Sequence, residues 1–163
     1  MADDGSRITD QMRAVVGVQS PPETVEIERG AIRAFARSTG QTDPVYYDVE
    51  AARAAGYPDI PSPPGFLGRY IFVPGKTDGT FSAPLSVPGF PAGGLVHLLH
   101  GSTRIRTYRR LFAGERLSVT SQITVVSERQ GRIGHMVMAD SAATFRDQSG
   151  AVVAEKYDTE IHY

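Results

Sequence analysis

The chain contains no cysteine. That removes disulfides, a thiolate nucleophile and a cysteine-ligated metal from consideration. Histidine is scarce, at four residues, and no HExxH or comparable motif occurs, so neither a metal nor another cofactor is expected. An excess of one charge sign is also missing: 17 Lys and Arg against 18 Asp and Glu leave a net charge of −1. No basic face argues for nucleic acid or an anionic membrane. No apolar run approaches membrane-spanning length. The opening MADDGSRITD is acidic and polar, without the apolar stretch of a secretory signal. The expectation is a cytoplasmic protein with no nucleic-acid or membrane partner. Glycines around Gly75, Gly79 and Gly93-Gly94 match no phosphate-loop spacing.

What is present suits one domain, 1–163, with a single core: 163 residues, 40% of them hydrophobic. Residues 1–6 read as a flexible tail. Ile8, Met12, Val15 and Val16 fall at helical spacing, with Gly17 as a C-cap. Residues 24–28 alternate as a short strand. Residues 29–39 place Ile32 and Phe35 on one helical face, and Gly40 closes that helix. A short helix over 48–55 has Asp48 as N-cap and Gly56 at its end. Pro58, Pro61, Pro63 and Pro64 exclude helix or central strand from 58–64.

Residues 66–73, FLGRYIFV, form a compact apolar segment, and 74–94 read as a long Pro/Gly-rich loop. Residues 96–108, 115–128, 133–146 and 152–162 alternate as antiparallel strands. Gln130-Gly131-Arg132 and residues 147–150 supply the hairpin turns. Helices followed by strands imply an α+β fold.

The segment 35–66, FARSTGQTDPVYYDVEAARAAGYPDIPSPPGF, carries the most information. Gly40, Pro44 and Val45, then Asp48, Glu50, the alanines 51, 52, 54 and 55, Gly56 and Tyr57 follow the active-site pattern of MaoC-type hydratases/dehydratases. Ser62-Pro63-Pro64-Gly65-Phe66, Leu99-His100-Gly101 and Ala113-Gly114-Glu115 resemble motifs of the FAS1-like dehydratase branch. The resemblance spans residues 16–163. It implies a single hot-dog domain, an antiparallel sheet wrapped around a central helix that begins near Phe66. It also implies an acyl thioester ligand, on coenzyme A or an acyl carrier protein, and a homodimer or a second hot-dog subunit.

The resemblance breaks where the chemistry sits. Gln41 stands where the family has its catalytic Asp, Asp43 where it has Asn, and Tyr46 where it has His. Hydration of an enoyl thioester needs a base, an acid and donors for the thioester oxygen. Gln41 cannot exchange a proton near neutrality. Tyr46, with an ordinary pKa of about 10, is a poor base. Pro64 falls where a glycine N–H serves the carbonyl, and proline has none; Gly65 serves if the turn shifts by one. The expected role is therefore the acyl-binding, dyad-deficient subunit of a heterodimeric (R)-hydroxyacyl-thioester dehydratase. The alternatives are a self-sufficient dehydratase or thioesterase with relocated residues, and a non-catalytic binding module.

The candidate catalytic residues are Gln41, Tyr46 and His100. The candidate substrate-binding residues are Asp43, Pro44, Pro63, Pro64, Gly65 and Phe66. Each also has a structural reading. Tyr46 packs under the adjacent helix, Gln41 bonds loop backbone, Asp43 makes an Asx turn before Pro44, and the prolines set the loop. Strand spacing puts His97 and His100 on opposite faces, and His135 and His162 read as surface residues. Arg104, Arg106, Arg109 and Arg110 form a basic cluster, either a solvated face or a contact for coenzyme A phosphates or an acidic carrier protein.

Overall fold

The computed structural model describes residues 6–71, 95, 97–132 and 134–163. The expected 74–94 loop lies outside them, as do residues 1–5 of the expected tail. The described elements are α1 (Asp10–Ala14), β1 (Glu23–Glu26), α2 (Arg29–Ser38), α3 (Val49–Ala54), β2 (Arg69–Tyr70), β3 (Leu98–Thr107), β4 (Arg116–Gly131), β5 (Gly134–Arg146) and β6 (Val152–His162). A 3-10 turn over Pro44–Tyr46 links α2 to α3.

The strands form one antiparallel sheet in the order β2-β1-β4-β5-β6-β3. Flat, β2 and β6 would stand about 19 Å apart, four strand spacings. Yet Asp158 of β6 acts electrostatically on Tyr70 of β2, so the sheet curls back on itself. Alternation dictates which side is inside. Leu117, Val119, Ser121 and Ile123 of β4 are buried, as are Val137, Ala139, Ser141 and Phe145 of β5. A register shift between Ile123 and Val125 adds one residue, which turns Val125 out to solvent and brings Val126 against the core.

Amphipathic α2 packs on this sheet. Ala31 and Ile32 join Val25, Ile27, Leu117, Val119, Phe145 and Val153 in the main core cluster. Burying Ile32 completely contributes roughly 1.5–3 kcal/mol. Gly40, at φ +70, ends the helix as expected. Arg29 holds α2 to the proline-rich segment after α3 by a two-pronged ion pair with Asp59, at 3.1 and 2.8 Å. Burial works to raise the Asp59 carboxyl, but the Ile60 N–H and Arg29 outweigh it and hold it below its ordinary value. Asp48 caps α3 by accepting from Glu50 N and Ala51 N at 2.6 and 3.0 Å.

Two expectations need correction. No helix begins near Phe66: Gly65 and Gly68 sit at φ +91 and +96, which a right-handed helix excludes. The chain instead turns at Pro63–Phe66 and adds Arg69–Tyr70 to the edge of β1. His162 is not a surface residue. It is 8% exposed, on the inward row of β6, and burial lowers its imidazole pKa.

Candidate functional site

The segment between α2 and α3 is a tightly bonded loop. Gln41 donates its N–H to Ala36 O at 2.9 Å and accepts the Tyr47 hydroxyl on its carbonyl. Asp43 makes the expected Asx turn, accepting Val45 N at 3.1 Å, and Pro44 opens the 3-10 turn. Arg33 donates to Tyr47 O at 2.8 Å, so α2 fixes the loop from below. Tyr46 is half-buried, and among the described residues neither its hydroxyl nor the Gln41 side-chain amide has a hydrogen-bond partner.

Pro63, Pro64 and Phe66 lie elsewhere, at a cleft of about 240 Å³ that they share with Tyr108, Arg109, Arg110 and Leu111. The turn is rigid. Ser62 donates its hydroxyl to Phe66 O at 2.6 Å, and its N–H to Leu111 O at 2.8 Å. Phe66 N donates to Pro63 O at 3.1 Å, whereas the Gly65 N–H has no acceptor among the described residues. The Phe35 ring, 5.4 Å from Phe66, connects the end of α2 to this turn. The structure therefore groups Pro63, Pro64 and Phe66, with Gly65 between them. It keeps Gln41, Asp43, Pro44 and Tyr46 in a separate loop.

His100 is apart from the cleft, roughly 20 Å along β3 from the cleft residues at its far end. His97 stacks on Tyr163 at 5.1 Å and does not join it. A bulge between His100 and Ser102 lets His100 and Thr103, three apart, share a face. The His100 Nε2 and Thr103 Oγ1 lie 2.6 Å apart, and the Thr103 hydroxyl donates to Asp158 at 2.5 Å. Since that proton goes to the carboxylate, the Thr103 oxygen accepts from the His100 Nε2–H. Asp158 is 6% exposed and also binds Lys156 at 2.7 Å. Glu160, opposite His100 on β6, has its pKa raised by burial and then by Asp158. Tyr70 is pushed up to about 12, by burial first and then by Glu23 and Asp158.

Sequence reasoning missed Thr103, Asp158 and Lys156. The signal was the inward row of β6, where Ala154 leads into Lys156, Asp158, Glu160 and His162. The Ala113-Gly114-Glu115 motif serves the framework. Glu115 accepts Phe112 N at 2.7 Å and binds Arg109 at 2.7 Å, and Asp147 binds the same guanidinium at 3.2 Å. Among the described residues no cluster of three or more His, Cys, Asp or Glu could hold a metal, and no helix is long and apolar enough to cross a membrane.

Residues 14–156 match the family described as "FAS1-like, dehydratase domain region". A UPF0336 protein of Streptomyces coelicolor is 35% identical over 122 residues, 73% of this chain and 75% of its own length. Among solved structures, the ChsH1-ChsH2 complex from Mycobacterium tuberculosis contains a chain similar at TM-score 0.76 and 20% identity, covering 96% of this chain and 95% of that one. The C-terminally truncated HadBC (3R-hydroxyacyl-ACP dehydratase) complex from the same organism gives TM-score 0.64 and 21% identity, over 90% and 96%. At these identities the structures speak for the fold, which is the expected α+β hot-dog fold.

Proposed function

Because the chain belongs to the FAS1-like dehydratase family of MaoC-like hot-dog proteins, we propose that it is the acyl-binding subunit of an (R)-specific enoyl-thioester hydratase/3-hydroxyacyl-thioester dehydratase, paired with a second hot-dog chain that carries the Asp and His. The observation that carries this reading is the loop at 41–46. Gln41 holds the acid–base position with a group that does not titrate, and Asp43 has its carboxylate committed to the Val45 N–H. The loop keeps its shape without its chemistry.

The free edge of the sheet supports a partner. β3 is the outer strand, and apart from half-buried Ile105 all its residues are exposed. Leu98 and Leu99 are 59% and 47% exposed there. Among the described residues no strand pairs with the outer side of β3, and a ten-residue edge with apolar side chains is a template for another strand. The ChsH1-ChsH2 and HadBC structures are themselves complexes of two named chains. The cleft at Pro63, Pro64 and Phe66 supplies an apolar wall for the arm that carries the thioester.

The test is enoyl-thioester hydration by the pure chain, then by the chain mixed with a hot-dog protein carrying the family Asp and His. Turnover in the mixture beyond that of either chain alone is expected. Full turnover by this chain alone contradicts the reading.

The hydrogen-bonded line from Asp158 through Thr103 to His100 favours a second reading, a self-sufficient enzyme with its base on β3. It requires the pure chain to turn over, and His100→Ala and Thr103→Val each to abolish that turnover with folding intact.

A further inference from the structure

The four arginines of the β3 end differ in what neutralises them. Arg109 is held between Glu115 and Asp147. Arg106 lies in the field of Glu155, which binds the Tyr108 hydroxyl at 2.6 Å. Arg104 pairs across the sheet with Tyr157 and does not border the cleft. Arg110 borders the cleft and is exposed, and among the described residues no carboxylate pairs with it. Neutral groups hold it instead. Its Nη1 donates to the Tyr57 hydroxyl at 3.0 Å, and its guanidinium carbon lies 4.8 Å above the Tyr57 ring. Tyr57 is itself fixed, by its N–H bond to Ala52 O at 3.0 Å and by its ring packing 6.1 Å from Phe112.

A guanidinium stays charged at any ordinary pH, and held in place it loses little further freedom on binding. Most of the N–H donors of Arg110 remain unspent. Below it the cleft is walled by Pro63, Pro64, Phe66 and Leu111. An elongated ligand with an anionic end and a weakly polar arm matches that order of chemistry. We propose that Arg110, presented by Tyr57, receives the phosphate of a phosphopantetheine arm whose chain lies along the Pro63–Phe66 turn. This rests on the acyl-thioester reading above and adds the group that anchors its carrier. Coenzyme A and a carrier protein both bear that phosphate, and Arg110 serves either.

The experiment is calorimetric titration of the full chain with coenzyme A, with pantetheine, which lacks the phosphates, and with a phosphopantetheinylated acyl carrier protein. Native chain is expected to bind coenzyme A or the carrier protein about 10-fold or more tightly than pantetheine, the worth of one charge-assisted pair. The phosphate-bearing ligand that shows this gap identifies the source. Arg110→Gln should erase the gap and leave pantetheine unchanged. Tyr57→Phe, which keeps the ring and removes the acceptor, should narrow it. Arg37→Gln, an exposed arginine on α2, should leave it intact. Equal binding by native chain and Arg110→Gln overturns the proposal, as does native binding of neither phosphate-bearing ligand. A hydration assay that fails in every mixture, with the Arg110-dependent gap present, would instead count against the subunit reading alone.

Discussion

At the residue scale, the loop at 41–46 is, on the proposed reading, a backbone kept without its catalytic side chains. Its turns depend on Asp43 accepting a backbone N–H and on Pro44, while the positions that would exchange protons hold Gln41 and Tyr46. Rebuilding the letters tests whether only they are missing. Gln41→Asp with Asp43→Asn and Tyr46→His is expected to give the isolated chain detectable hydration, well below a native pair because Pro64 still offers no N–H. No gain in a folded triple variant would mean that the loop does not face substrate. His162 gives a second prediction. Burial lowers its pKa below 6.5, so the unfolded chain takes up a proton first as pH falls. Its contribution is neutral above about pH 7, and stability is lost as pH drops from 6.5 toward the lowered folded value. His162→Gln should flatten that part of the stability–pH curve, measured by denaturant unfolding between pH 8 and pH 5. An unchanged slope would refute it. The Asx turn at Asp43 was legible in the sequence because it depends on neighbours along the chain. The burial of His162 was not, because it depends on a sheet closing over it.

At the element scale, glycine decides where the chain turns from the proline-rich loop into β2. Gly68 sits at φ +96, and a Cβ there would meet Glu26 O at 2.9 Å and Ile27 Cδ1 at 3.0 Å. Gly68→Ala is expected to destabilise by more than about 1 kcal/mol, through strain and the clash with β1 backbone. A change in thermal midpoint within error would contradict that placement. By contrast, Asp48→Ala should cost only about 1 kcal/mol, the loss of one helix cap. α2 and the four long strands were readable to within about three residues, since period-2 and period-3.6 patterns report burial directly, but the hairpin turn expected at 130–132 falls after Gly131, which still pairs with Gly134. The apolar run at 66–73 misled, because an unbroken run does not distinguish helix from strand, and the positive φ at Gly65 and Gly68 is a tertiary fact. The bulge that brings His100 beside Thr103 was equally hidden. Strict alternation separates residues three apart, and only a register shift joins them.

At the scale of the whole molecule, the two edges of the sheet differ among the described residues. β2 is a two-residue edge, too short to invite pairing, whereas β3 runs ten residues with Leu98 and Leu99 uncovered. The chain is expected to associate through β3, with itself when alone and with the second subunit when that is present. Leu98→Glu with Leu99→Glu should yield a folded monomer that no longer binds the partner, as read by light scattering. An unaltered assembly would place the interface elsewhere. Fold class and family were legible from the motif set spread over residues 35–115, and the proposed second chain rests on the same motifs. The separation of the Asp158–Thr103–His100 line from the Pro63–Phe66 cleft was not legible, since no local pattern reports distance across a curled sheet. The most direct test of the central claim assigns the chemistry within an assembled pair. In a mixture of the two hot-dog chains, removing the catalytic Asp of the partner should abolish hydration. Tyr46→Phe and His100→Ala in this chain should leave it within a few-fold of native. Loss of turnover on His100→Ala, with the pair still assembled, would contradict the account and move the acid–base chemistry onto β3.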